Sequence, residues 1–198
     1  MEKCIILDMD NTLICFYKQR PYLKEFIEFV FANFKHVALW TAGERVWLNN
    51  IYNVILKPLI PEGKNFAFMW SRIDCTSGFV YCPVKNNIER RIFKELKYVY
   101  ASYNDFLPNN TIIIDDNVVT CCKNLNNSLH IIPFNDEEAE AQCRSLTASP
   151  IIMPSLIDYE DNELLKLIIF IRDKILPAED VRGVPKIYWY KNILNISK

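Results

Sequence analysis

An α/β fold with a central parallel sheet, helices on both faces and a small inserted β-rich segment is predicted by three observations. Three apolar stretches, Ile5-Ile6-Leu7, Val37-Ala38-Leu39-Trp40 and Ile112-Ile113-Ile114, have the unbroken apolar character of strands buried on both sides. Each runs directly into residues able to do chemistry: Asp8 and Asp10, then Thr41, then Asp115 and Asp116. Segments of helical spacing lie between them, the order expected of parallel strands joined by right-handed crossovers. In open sheets of this kind the reactive groups collect just past the carboxyl ends of the strands.

Composition narrows the setting. The 198 residues suit one domain, with an insertion at about residues 60–84. A hydrophobic fraction of 51% is ample for a single core. The formal net charge of −1 gives no polyelectrolyte bias, so no nucleic-acid partner is expected. No apolar run is long enough to span a membrane. Met1-Glu2-Lys3-Cys4 leads straight into a strand and leaves no room for a signal peptide. Seven cysteines, odd in number, irregular in spacing and without a Cys-x-x-Cys pair, read as free thiols in a reducing, intracellular compartment, cytoplasm or nucleus. The abundance of Asn, Ile and Lys fits an AT-rich coding genome, viral or parasitic, in which case the compartment is that of a host cell.

Taken in order, the first strand ends at the Asp8-Met9-Asp10-Asn11-Thr12 turn. Residues two apart in an extended chain share a face, so Asp8 and Asp10 are expected to aim at one site, where a cation or a shared proton must compensate them. Arg20-Pro21 opens a helix, proline suiting a first helical position, and Leu23, Phe26, Ile27, Val30, Phe31 and Phe34 form its apolar face. The second strand, from His36, ends at Thr41-Ala42-Gly43, where a hydroxyl and free turn N–H groups make a phosphate cradle. Glu44 to Leu59 reads as a helix with Trp47, Ile51, Val54 and Ile55 on one face, stopped by Pro58 and Pro61. Asn65 to Val84, aromatic and broken by Gly78 and Pro83, reads as short strands of the inserted segment. Phe66, Phe68, Trp70, Phe79 and Tyr81 suit its small core better than a proline-binding surface.

From about Asn87 a helix is expected through Ile88, Ile92, Phe93, Leu96 and Val99, carrying Arg90, Arg91, Lys94 and Lys97. One cation of this region has a task if a site of two carboxylates and a phosphate lies nearby, because the ligands outnumber a metal in charge. The third strand ends in Asp115 and Asp116, and a divalent ion such as Mg2+ takes carboxylates of this kind together with phosphate and water. Leu129-His130-Ile131-Ile132-Pro133 is a further short strand, residues 135–155 with Glu137 to Glu140 a surface excursion, and Asp161 to Leu176 an amphipathic helix. Tyr188-Trp189-Tyr190 stays unassigned.

Apolar residues followed by Asp-x-Asp-x-Thr resemble the first motif of the haloacid dehalogenase-like (HAD-type) phosphohydrolases, whose sheet is Rossmann-like. The wording around it resembles the FCP/SCP branch, the phosphatases of RNA polymerase II C-terminal-domain (CTD) type, also called NLI-interacting-factor-like. Thr41-Ala42-Gly43 matches the second motif, Arg20-Pro21 the pair before the first helix, Phe93-Lys94-Glu95-Leu96 the lysine motif, and Asp115-Asp116 the fourth motif, although Asn117-Val118 stands where Ser-Pro is usual. Trp70-Ser71-Arg72-Ile73-Asp74-Cys75 resembles the Arg-x-x-Cys stretch of the branch's insertion. The similarity covers residues 3–183.

The resemblance implies that Asp8 is the nucleophile of an aspartyl-phosphate mechanism and Asp10 the general acid and base. Thr41, Ala42 and Arg72 would bind the substrate phosphate, and Lys94 would be the motif lysine, with Lys85 as the alternative. Mg2+ would be held by Asp8, the backbone carbonyl of Asp10, and Asp116, with Asp115 orienting Lys94 or the metal's waters. It further implies a phosphoserine or phosphothreonine protein substrate, including Ser-Pro peptides. A small-molecule phosphatase acting on a metabolite or nucleotide, or a silent binding scaffold, are the alternative functions, the second disfavoured by the presence of all four acids.

Overall fold

A computed structural model of the chain describes residues 2–82, 86–135, 161–186 and 189. Its elements run β1 (Cys4–Leu7), β2 (Ile14–Cys15), β3 (Lys18–Gln19), α1 (Leu23–Asn33), β4 (His36–Trp40), α2 (Arg45–Ile51), β5 (Met69–Trp70), β6 (Thr76–Cys82), β7 (Asn87–Phe93), α3 (Leu96–Ser102), β8 (Thr111–Asp115), β9 (Ser128–His130) and α4 (Glu163–Phe170). The central sheet has the order β5-β4-β1-β8-β9, and every pairing in it is parallel. The predicted α/β architecture is therefore present, with β1 in the middle and β4 and β8 on either side.

Alternation along the strands divides the core in two. Ile5, Leu7, Val37, Leu39, Ile112 and Ile114 face α1 and α4, where they meet Phe26, Ile27, Val30, Leu164 and Leu167. Ile6, Ala38, Trp40 and Ile113 face the other way, against Leu96 and Val99 of α3. The Val, Leu, Ile and Phe side chains among them contribute roughly 1.5–3 kcal/mol each when fully buried. The register places Leu7 level with Leu39 and with Ile114, so the chain leaves β1, β4 and β8 at one height. Asp8, Thr41 and Asp115–Asp116 follow from that register.

Three expectations change in detail. α1 begins at Leu23, not at Pro21, because Tyr22 adopts a left-handed conformation at φ 64° and caps the helix. Residues 87–93 form β7, a strand paired antiparallel with β6, and not the start of a helix. The spacing of Ile88 and Ile92 fits a helix, yet Ile88 is exposed and the helix proper starts only at Leu96. The aromatic residues also divide: Phe68 and Trp70 pack with Tyr103 and Phe106 under the sheet, whereas Phe79 and Tyr81 lie exposed on the hairpin. Lys85, Glu137 to Glu140, Tyr188 and Tyr190 lie outside the described residues, while Trp189 is buried against Phe170 with its indole N–H on the His130 carbonyl.

Arg20 is the polar pin of the α4 side. Its guanidinium is fully buried and donates to the Thr12 carbonyl at 3.1 Å, the Ile132 carbonyl at 2.8 Å and both carboxylate oxygens of Asp161 at 3.1 and 3.2 Å. It thus ties the turn after β1 to the exit of β9 and to the approach of α4. Breaking a buried pair by removing one partner strands the other charge and the carbonyls with it. Arg20→Met is expected to lower the unfolding free energy by about 3–5 kcal/mol in urea titration; a loss below about 1 kcal/mol would place this contact in the class of surface ion pairs.

Candidate active site

The site is assembled at the carboxyl ends of β1, β4 and β8. Past Leu7 the Asp8 amide still donates to the Ile114 carbonyl at 2.9 Å, which carries Asp8 one step beyond the strand in register with β8. The chain then turns on Asn11 at φ 58°, a conformation that asparagine tolerates better than most residues. Amides of Leu13 and Ile14 both donate back to the Met9 carbonyl, closing the turn. Thr12, fully buried, accepts the Asp116 amide on its hydroxyl at 3.1 Å and so links the β1 turn to the end of β8.

Asp8, Asp115 and Asp116 converge: each offers an oxygen lying within 4.8 Å of the others. Between two of them sits Lys94, buried like the carboxylates, its ammonium donating to Asp8 and, at 2.7 Å, to Asp115. Lys94 occupies the short link between β7 and α3. Its amide donates to the Thr120 carbonyl at 2.9 Å, and its carbonyl accepts from Asn124, whose side chain also takes the Leu96 amide at 3.0 Å. The backbone of the lysine is therefore clamped on both sides of its side chain.

Burial by itself would lower the Lys94 ammonium. Asp115 and Asp8 outweigh it and hold the group above its ordinary value, so it stays charged. The Asp8 carboxyl is pushed up, first by burial and then by Asp115 and Asp10, against the pull of Lys94. Asp116 is pushed up to about 6 by burial and by Asp115. The second oxygen of Asp115 accepts the Asn117 amide at 2.8 Å, so both of its oxygens are engaged by the protein.

Asp10 takes a different position. Period-two alternation ends with β1, and its carboxylate lies outside the three-carboxylate group. One oxygen accepts the Thr41 hydroxyl at 2.8 Å, and the other accepts the indole N–H of Trp47 at 2.6 Å. The Thr41 hydroxyl in turn accepts the Gly43 amide at 2.9 Å. Arg72, from the other side, donates through its Nε to the Ala42 carbonyl at 2.7 Å and pairs with Glu44 at 3.1 Å, while its amide donates to the Gly43 carbonyl at 2.8 Å. The Thr41-Ala42-Gly43 turn is thus held from both sides.

Of the residues singled out in the sequence, Asp8, Asp10, Thr41, Ala42, Arg72, Lys94, Asp115 and Asp116 stand at this rim, and Lys85, the alternative to Lys94, lies outside the described residues. Thr12 belongs to the first motif without a role assigned to it there. Trp47, read as a core residue of its helix, Asn124 and Cys121, whose thiol lies 3.5 Å from Asp115, are contacts that the sequence reading missed. Trp47 left one signal, an indole on the first turns of a short helix that starts against the strand end.

The NLI interacting factor-like phosphatase family model matches residues 3–182. A CTD phosphatase-like protein of Invertebrate iridescent virus 3 is 26% identical over 174 residues, covering 71% of this chain and 89% of that protein. Its counterpart in Invertebrate iridescent virus 6 is 25% identical over 177 residues, covering 73% and 94%. Among solved structures, Fcp1, an essential RNA polymerase II CTD phosphatase, superposes with a TM-score of 0.56 at 14% identity, over 96% of this chain and 64% of that one. An Arg-to-Ala variant of fission yeast Fcp1 bound to beryllium fluoride gives 0.55 at 16% identity, over 99% and 65%. At such identities the two structures share the fold, and the chain spans just under two thirds of their length. With the match running through nearly the whole chain and all the motifs at one rim, the chain belongs to the NLI interacting factor-like phosphatases, the FCP/SCP branch of the HAD-type phosphoric monoester hydrolases.

Proposed function

We propose that this chain hydrolyses phosphomonoesters through an aspartyl-phosphate on Asp8, with Mg2+ as its metal and phosphoserine or phosphothreonine in proteins, Ser-Pro sites included, as its substrate. The observation that supports this most is the meeting of Asp8, Asp115 and Asp116 around a buried Lys94. The donor set is oxygen only and carries more negative charge than one ammonium cancels, which suits a hard divalent cation. Because both Asp115 oxygens are already engaged, Asp8 and Asp116 are the side chains that would hold it, with the Asp10 carbonyl, and Asp115 orients Lys94. A bound Mg2+ would draw charge from the phosphoryl oxygens as the transition state forms.

The chain's own groups divide the rest of the work. Lys94 fixes the Asp8 carboxylate and favours its ionised, attacking form. The Thr41 hydroxyl and the Ala42 amide hold the phosphoryl oxygens, with Arg72 at the edge of the same turn. Asp10 protonates the leaving oxygen as the ester P–O bond breaks, then takes a proton from the water that cleaves the acyl-phosphate. The assignment of a protein substrate draws on the CTD phosphatase-like relatives.

Wild type is expected to release phosphate from p-nitrophenyl phosphate only with Mg2+, and Asp8→Asn to lose at least about a thousandfold in kcat. Equal inertness of both proteins, with tight retention of a phosphopeptide, would instead identify a scaffold. Faster turnover of sugar phosphates or nucleotides than of a Ser-Pro phosphopeptide would identify a small-molecule phosphatase.

A second prediction concerns pH. Asp116 is raised from 3.8 to about 6 in the folded chain, so the fold binds this proton more tightly than the unfolded chain does. Its contribution to stability is whole below the lower value and is lost as pH rises through the upper one. With metal chelated, thermal unfolding is therefore expected at lower temperature as pH climbs across that window, and Mg2+ should reverse the fall at its upper end. Calorimetry of Asp116→Asn should show a flatter profile and a smaller effect of Mg2+; an unchanged profile would contradict the placement of the ion.

A further inference from the structure

The acid and base of the proposed reaction is held by two donors of different kind. Thr41 has one hydroxyl hydrogen, and here it is directed at an Asp10 oxygen. If Thr41 is to bond a phosphoryl oxygen, it must release Asp10, because the same hydrogen cannot serve both. The indole N–H of Trp47 faces no such competition. It lies 2.6 Å from the other Asp10 oxygen, it is a donor only, and it cannot take up the proton that Asp10 has to deliver.

The surroundings hold the indole in place. Tyr17, between β2 and β3, meets it edge-on with ring centroids 5.3 Å apart, and the Tyr17 hydroxyl accepts from Asn50 one turn further along α2. Gly43 leaves the room: a Cβ there would stand 3.1 Å from the indole Cδ1, 3.2 Å from the Thr41 hydroxyl and 3.3 Å from the Asp10 carboxylate. A side chain at position 43 would press on all three partners at once.

We propose that Trp47 is a positioning residue for Asp10. Its N–H anchors one carboxylate oxygen throughout turnover, so that the transferable proton sits on a lone pair turned away from the indole and toward the leaving oxygen. This rests on the phosphatase reading above. In the first step the Asp8–P bond forms, the ester P–O bond breaks and the Asp10 proton passes to the departing oxygen. In the second, Asp10 takes a proton from water as the water O–P bond forms and the Asp8–P bond breaks. Trp47 touches neither the phosphoryl group nor the leaving group.

The test is a series of aryl phosphates, p-nitrophenyl, phenyl and p-methoxyphenyl, whose phenolates leave with decreasing ease. With the wild-type chain and Mg2+, kcat/KM, which reports the first step, should vary little along the series. In Trp47→Phe, which keeps an aromatic ring without the donor, kcat/KM should fall about tenfold or more on the poorest leaving group and distinctly less on p-nitrophenyl phosphate, with KM little changed. An equal loss on all three esters, or none on any, overturns the proposal. A wild type inert toward all three overturns the phosphatase reading and this one together. A second measurement needs neither turnover nor a folded Trp47 variant. The chain holds four tryptophans, and in 15N-labelled protein the indole signal bonded to a carboxylate is expected downfield, moving upfield in Asp10→Ala. Four unmoved indole signals overturn the proposal.

Discussion

The ammonium of Lys94 between Asp8 and Asp115 is the contact on which the rest of the rim depends. The parallel sheet leaves little choice about where the strand-end carboxylates go, since register sets Asp8 beside Asp115. Two like charges about 4 Å apart repel by about 4 kcal/mol at an effective dielectric near 20. Three carboxylates in mutual reach would oppose a large share of the roughly 5–15 kcal/mol by which a domain is stable. One buried cation offsets part of this by donating to Asp8 and Asp115. Burial, Asp115 and Asp10 still hold the Asp8 carboxyl above its ordinary value, and Asp116 holds its proton up to about 6.

Chemically identical residues are made unlike by what donates to them. Asp115, with both oxygens occupied by Lys94 and the Asn117 amide, is a fixed part of the frame. Asp8 shares the same ammonium and is buried among its neighbours' charges, and in the proposed reaction it is the carboxylate that attacks. Asp10, two residues further on, is turned by Asn11 toward Thr41 and Trp47, and among the described residues it pairs with no ammonium. In the proposed reaction the nucleophile requires a cation to keep it ionised, whereas the proton carrier requires donors that fix its orientation and leave it free to exchange. Separating the two within three residues requires that the strand stop at Leu7 and the chain turn at once, which is what the left-handed Asn11 provides.

The fold was legible because its strands are buried on both faces, so that Ile5-Ile6-Leu7 and Ile112-Ile113-Ile114 carry no polar alternation that a helix or an exposed strand would need. The carboxylates and Thr41 were legible for the same reason, standing where apolar character stops. The hairpin was not. Among the described residues β7 pairs only with β6, and its exposed Ile88 and intervening charges carry no period that separates strand from helix. Trp47 was hidden differently: the apolar body of an indole fits a core face, and its single N–H gains meaning only when Asp10 arrives from another part of the chain.

The hairpin explains how a residue between a strand and a helix can be placed so closely. Its first strand follows the Ser71–Cys75 stretch, where Arg72 grips the Ala42 carbonyl, and its second ends one residue before Lys94. Thr76 pairs with Phe93 across its base, and the Thr76 hydroxyl donates to Glu95 at 2.6 Å. Both feet of the hairpin therefore stand in the site, one on the Thr41-Ala42-Gly43 turn and one on the lysine, and are fastened to each other. The distal strands, with Phe79, Tyr81 and Ile88 exposed, can vary without moving the ammonium, because the lysine takes its position from the base pair, from Thr120 and from Asn124. What looks like an ornament on the sheet is, at its root, the support that carries the cation to the carboxylates.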